Sequence, residues 1–241
     1  MNRISQICLV SAAVIAGLVL GNPRAQAQTG PPIRDPAHRF EKRVHTWVDQ
    51  KRVNWVMQKQ DYSCGAAALA TVARYYWGDP VGERYFLTTI VGMLTQEQLE
   101  DRIKNGLTMT DMRLAAVKLG YVSTVGRLSY DELTQSKVPL IVGITVRGFD
   151  HFVVYRGSDD YYVYLADPIR GNLRIPAWEF VQQWQKNAVL VLAKPGQGPR
   201  EHSPLTVTYA ETQVGAGTDT WLRRNALPPP RLAKPEPLPA S

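Results

Sequence analysis

The run QKQDYSCGAAALATVARYY, residues 58–76, sets a short polar approach and one cysteine against a helix of small and apolar residues. After Cys64 come Gly65, Ala66, Ala67, Ala68, Leu69, Ala70, Val72 and Ala73, a run rich in strong helix formers whose apolar groups point in every direction around the axis. A helix of that kind has to be buried. Asp61 and Ser63 are both N-cap candidates, which places Cys64 in the first turn, where unpaired backbone N–H groups and the macrodipole point at its sulfur. Both features favour a thiolate, and a neighbouring histidine adds to them. The competing reading is a cysteine that fills space at a helix start, since free cysteine is among the most buried residue types.

The start of the chain bears on that choice. Arg3, an apolar run over 7–20, the helix-breaking Asn22-Pro23 and then Ala25-Gln26-Ala27 form the pattern of a secretory signal over residues 1–27. The apolar run is shorter than the ~20 residues a membrane span needs, so a cleaved signal is expected rather than an anchor. The expected compartment is the periplasm, with the extracellular space as the alternative. Cys8 leaves with the signal, and Cys64 remains without a disulfide partner. An unpaired thiol in an oxidising compartment is a hazard that a structural role avoids with alanine or serine, which favours a functional Cys64.

Of 241 residues, 44% are hydrophobic and 20% charged, the composition of one globular core with tails. The net charge of +7 includes Arg3 and Arg24 of the signal, and the rest is spread along the chain. With no Lys/Arg cluster and no aromatic residues interleaved with basic ones, nucleic acid is not an expected partner. Zinc-type Cys/His spacing and the GxxxxGK[ST] phosphate loop are missing from the sequence, so neither metal nor cofactor is expected.

Four segments follow from the pattern: the signal, a flexible lead-in over 28–50 with Pro31, Pro32 and Pro36, a domain over 51–194, and a solvated tail over 195–241 that carries nine of the 17 prolines. Within the domain, alternation of Val53, Trp55 and Met57 reads as a strand over 53–58. The Cys64 helix should stop at Gly78-Asp79-Pro80, with further helices over 83–91, 95–104 and 112–119, the last opened by Thr110-Asp111. From 121 the period becomes that of strands: 121–125, the apolar run VPLIVGITV over 138–146, then 151–155 and 161–166. A turn from Asp167-Pro168 to Gly171-Asn172, a strand over 173–175, a helix over 177–185 and a strand over 188–192 complete it. The strands over 138–166 are joined by short loops and should pair antiparallel. Helices first and strands later describe an α+β layer structure.

A base for Cys64 must come from His38, His45, His151 or His202. The first two fall in the lead-in and the last in the tail, whereas His151 starts a core strand. The next strand ends in Asp167, and residues flanking the outer ends of an antiparallel pair lie close together, so Asp167 can hold the imidazole. Cysteine at a helix start, histidine on a strand and carboxylate on its neighbour make a Cys-His-Asp triad. Gln58, six residues before Cys64, can supply a side-chain amide to an oxyanion beside the Cys64 N–H, with Gln60 as its rival.

Gln58, Cys64-Gly65-Ala66-Ala67, His151-Phe152-Val153-Val154, Asp167-Pro168 with Gly171, and Trp178-Glu179-Phe180 together resemble the bacteriocin-processing peptidases that cut double-glycine leaders. The resemblance covers about residues 53–193. It implies a papain-like cysteine peptidase fold, with Cys64 as nucleophile, His151 as base, Asp167 as orienting group and Gln58, rather than Gln60, in the oxyanion hole. A narrow cleft beside the nucleophile, suited to Gly-Gly or Gly-Ala, is implied as well.

The chain departs from the exporter-fused members in its signal, in lacking an ATP-binding loop and in carrying Ser63 where an acidic residue is common. It is more similar to stand-alone exported members, some of which accompany secretion of functional amyloid. The expected partner is therefore a polypeptide substrate, including the cargo of a secretion system. Two other readings use the same residues: an acyl or peptidyl transferase on the same triad, as in the similar phytochelatin synthases, and a chaperone that holds a peptide without cutting it. An apolar helix with Met112, Leu114, Ala115 and Val117 is the expected grip on the substrate upstream of the cut. Iodoacetamide should label the native protein lacking residues 1–27 at one site, faster than free cysteine at mildly acidic pH; labelling only after unfolding would contradict a functional Cys64.

Overall fold

The computed structural model of the protein describes residues 51–213; the signal expected over 1–27, the lead-in expected over 28–50 and residues 214–241 lie outside the described residues. Helix α1 (Cys64–Tyr75) is buried on all sides from Cys64 through Ala73, as its composition requires. Gly78, at φ +80°, turns the chain out of the helix, and the Trp77 indole N–H donates to the Leu192 carbonyl at 2.8 Å. Helices α2 (Glu83–Val91), α3 (Gln96–Asn105) and α4 (Met109–Lys118) follow. Thr95 with Gln98 and Thr108 with Asp111 form reciprocal capping boxes, so α4 begins earlier than expected: Asp111 is the third residue of a box opened by Thr108, not the residue that opens the helix.

The remaining elements are β1 (Val122–Arg127), α5 (Tyr130–Thr134), β2 (Leu140–Val146), β3 (Phe149–Ser158), β4 (Tyr162–Asp167), β5 (Gly171–Pro176), α6 (Ala177–Gln183), β6 (Trp184–Ala193) and α7 (Tyr209–Gln213). Helix α5 had no counterpart in the sequence reading, although Ser129 and Glu132 form a capping box that signals it. The strands make one antiparallel sheet in the order β1-β6-β2-β3-β4-β5. Helices pack on both faces of the sheet at β2, which accounts for the unbroken apolar run VPLIVGITV. Ile141, paired with Val154 and Leu190, belongs to the cluster built on α1, α2 and α4. Val142, paired with Val153 and Val189, belongs to the cluster with Leu133 of α5 and Phe180 of α6.

The strand expected at 53–58 does not form. Its backbone donors go to separate elements: Val56 N–H to Thr71 Oγ1 at 2.9 Å, Gln58 N–H to the Pro168 carbonyl at 3.0 Å, and Lys59 N–H just beyond to Glu83 Oε1 at 2.8 Å. Asn54 at φ +60° bends the segment as well. Trp55 and Val56 pack against the core while Val53 and Met57 are exposed, so the alternation of Val53, Trp55 and Met57 does not mark a ladder. In α4, Met112 and Ala115 are fully buried, so they are core residues and not a grip on substrate; Leu114 and Val117 are the exposed pair of that helix.

Residues 195–213, expected to be solvated, pack on the domain instead. Leu205 is 2% exposed in the α1 cluster, and Arg156 donates to the Glu211 carboxylate at 2.7 Å and to the Leu205 carbonyl at 2.9 Å. Proline-rich composition stiffens a chain without preventing one leucine and one ion pair from docking it. Truncation after 194 should be less stable in urea than truncation after 213 by ~3–5 kcal/mol or more, because Arg156 keeps a buried charge without its partner and Leu205 is lost. Equal midpoints for the two truncations would contradict the docking.

Candidate active site

Cys64 is the first residue of α1 and is 5% exposed. Ser63 occupies the N-cap position but does not cap α1; its hydroxyl points away, to the Glu83 carboxylate and the Gln60 carbonyl. The sheet brings the other two groups to this helix start. His151 lies near the beginning of β3 and Asp167 ends β4, and the antiparallel pairing of these strands sets His151 Nε2 3.0 Å from Asp167 Oδ1. With Nε2 so engaged, Nδ1 is the ring nitrogen left for Cys64, which acts on the same ring by hydrogen bond and charge.

Asp167 is fully buried and accepts four hydrogen bonds. Oδ1 takes His151 Nε2, the Ile169 N–H at 2.7 Å and the Arg170 N–H at 3.1 Å, while Oδ2 takes Arg170 Nε at 2.6 Å. Burial raises this carboxyl's pKa, but the His151 bond and charge, the Ile169 N–H and the Arg170 guanidinium outweigh it and hold the group well below the usual carboxylate range. Burial in turn pushes the His151 pKa down, and the bonds to Asp167 and Cys64, with the charges of both, bring it up to about 9. At neutral pH the ring is therefore an imidazolium set between the Cys64 sulfur and a buried carboxylate.

Gln58 is joined to both halves of this arrangement. Its N–H donates to the Pro168 carbonyl, next to Asp167, and its side-chain Nε2 donates to the Gln60 carbonyl at 3.0 Å and to that of Asp61 at 3.5 Å. The longer contact leaves one amide hydrogen loosely held and able to turn to an oxyanion. Gln58 Oε1 is buried with no hydrogen-bond partner. Gln60 contributes its carbonyl, around which the loop before Cys64 is wound, while its side chain is exposed. Of the other histidines, His38 and His45 lie outside the described residues and His202 is exposed.

The sequence reading missed Glu83 and Arg170. Arg170, three residues after Asp167, is a turn residue with no motif of its own. Glu83 appeared only as a helix start, and nothing in its neighbours signals its burial. Gly171 sits at φ +78°, and a Cβ there would meet the Lys51 carbonyl oxygen at 2.2 Å, so the turn after Asp167 admits only glycine. Among the described residues no group of three or more His, Cys, Asp or Glu could hold a metal ion, and no helix is long and apolar enough to cross a membrane.

A charged imidazole with a cysteine sulfur on one side and a buried carboxylate on the other is the equipment of a cysteine-type peptidase. The model of the peptidase C39 family matches residues 52–196, and the chain belongs to that family. It is 34% identical over 193 residues to the probable functional amyloid protease FapD of Pseudomonas aeruginosa strain PAO1, covering 80% of this chain and 83% of that one. The protein of the same name from Pseudomonas fluorescens is 35% identical over 158 residues, 65% of this chain and 67% of its own. Among solved structures, a double glycine motif protease from an AMS/PCAT transporter, in complex with the leader peptide, aligns at 25% identity and a TM-score of 0.48 over 60% of this chain and 94% of that one. The protein is a cysteine-type peptidase, a hydrolase, with the α+β papain-like architecture expected from its sequence.

The pair of shifted groups makes stability depend on pH in two directions. Asp167 contributes above its unfolded value of 3.8 and loses that contribution as pH falls below it. His151 contributes fully below 6.5 and loses that contribution as pH rises through about 9. The stability gap between the native protein and Asp167→Asn should be widest from 3.8 to 6.5 and narrow on either side, as read by urea unfolding. A gap independent of pH would contradict the coupling.

Proposed function

We propose that the protein is an exported endopeptidase that cuts a secreted polypeptide after paired small residues, with Cys64 as nucleophile. The observation that carries this reading is the His151–Asp167 pair meeting Cys64 at the start of α1. The Cys64 thiolate attacks the scissile carbonyl carbon. The oxyanion takes hydrogen bonds from the Cys64 N–H and from the loosely held amide hydrogen of Gln58. His151 passes its proton to the departing amine, leaving a thioester on Cys64. Water then loses a proton to His151 as it attacks the thioester, the acid is released, and the imidazolium is restored. Asp167 holds the ring orientation throughout and favours its charged form.

Three findings support the finer parts of the reading. The signal pattern of residues 1–27 supports export, with the periplasm as the compartment. Likeness to the probable functional amyloid proteases supports an exported, amyloid-forming polypeptide as substrate. Leu114 and Val117, exposed three residues apart on α4, offer an apolar strip for a hydrophobic stretch of substrate upstream of the cut.

Peptides spanning a Gly-Gly or Gly-Ala pair should be cut by the native protein and not by Cys64→Ala or His151→Ala, while Asp167→Asn retains weak turnover. Gln58→Ala should lower kcat by ~10²–10³ and change KM less. Leucine at P1 should reduce kcat/KM by holding the carbonyl beyond the ~3–3.5 Å approach that attack needs. Cleavage by Cys64→Ala, or a preference for bulky or basic P1 residues, would contradict the corresponding part of the proposal.

A further inference from the structure

We infer that Glu83, on a helix outside the triad, is a positioning residue that sets the Gln58–Cys64 loop for oxyanion binding. This rests on the proposed peptidase chemistry and adds to it the residue that fixes the geometry of the oxyanion hole. The two proposed donors sit at the two ends of that loop. In its middle Lys59, Gln60 and Asp61 are exposed, while Tyr62 packs against the core and the Gln60 carbonyl gathers hydrogen bonds from within the loop. Donors of this kind must be held to within a few tenths of an ångström of the developing charge.

The anchor comes from α2. Glu83 is the first residue of that helix and is only 4% exposed. Its Oε1 accepts the Lys59 N–H at 2.8 Å and also meets the Ser63 hydroxyl. Lys59 follows Gln58 and Ser63 precedes Cys64, so one oxygen clamps the loop directly inside each of its two ends. The Ser63 hydroxyl also accepts the Gln60 N–H at 3.2 Å, and the Gln60 carbonyl receives the Gln58 side chain. Hydrogen bonds and the Gln60 backbone thus connect the Glu83 carboxylate to the amide proposed to hold the oxyanion. Burying a carboxyl group is costly unless it is hydrogen-bonded, and the Lys59 N–H and the Ser63 hydroxyl supply those bonds.

The expected pattern separates positioning from general support of the fold. Glu83→Ala should lower kcat on a Gly-Gly peptide by about 10- to 100-fold with KM little changed, as a displaced donor costs in other sites. Glu83→Gln, which keeps an oxygen acceptor, should recover most of that loss. In a Gln58→Ala background the Glu83→Ala loss should be several-fold smaller, because one of the two donors that it positions is gone. Cys64 alkylation by iodoacetamide should stay within about threefold of the native rate in Glu83→Ala, since alkylation uses no oxyanion hole. Equal losses in the two backgrounds, or alkylation falling along with kcat, would overturn the inference. Should Glu83→Ala not fold, the Ser63→Ala and Gln58→Ala cycle decides: a smaller Ser63→Ala loss without Gln58 supports the clamp, and additive losses refute it. An active enzyme with additive losses refutes the clamp alone, whereas absence of Cys64-dependent cleavage removes the peptidase reading and the clamp with it.

Discussion

The buried carboxylate of Asp167 is the group on which the rest of the site depends. It ends β4, accepts His151 from β3, and draws the Ile169 and Arg170 N–H groups and the Arg170 guanidinium around itself. The turn held in this way presents the Pro168 carbonyl to the Gln58 N–H, so the same carboxylate that charges His151 also fixes one end of the loop leading to Cys64. Removing one partner from a buried pair costs ~3–5 kcal/mol, against a total stability of about 5–15 kcal/mol for a typical domain. The carboxylate proposed to orient His151 is therefore also one that the fold can hardly do without.

The second constraint is steric. Helix α1 passes through the core with alanines at 66, 67, 68, 70 and 73, and only such small residues let the sheet and α4 approach it closely. Gly65 shows how tight the approach is, since a Cβ there would lie 2.6 Å from Met112 Sδ. Close packing keeps the start of α1 at one place relative to the sheet, and so keeps Cys64 at one place relative to His151.

The features that were legible in the sequence have local causes. The all-round apolar character of 64–73, the unbroken apolar run over 138–146 and the short loops joining β2, β3 and β4 were enough to imply a buried helix against an antiparallel sheet. The Cys64, His151 and Asp167 constellation followed from that frame, because strand pairing brings the ends of neighbouring strands together. What the sequence concealed depends on contacts between distant segments. Val53, Trp55 and Met57 alternate as a strand would, yet their backbone is shared among Thr71, Pro168 and Glu83. Leu205 sits in a proline-rich stretch and is core, and Glu83 looks like any acidic residue at a helix start. No periodicity marks a single residue that docks.

The central claim, that Cys64 forms a covalent intermediate made reactive by His151, is tested most directly by quenching turnover in acid and measuring the intact mass. The account predicts an adduct equal to the N-terminal cleavage product less one water, mapped to the Cys64 peptide, released by hydroxylamine and missing from His151→Ala. Substrate cleavage at full rate by a Cys64→Ser protein, or turnover with the adduct on any residue other than Cys64, would contradict it.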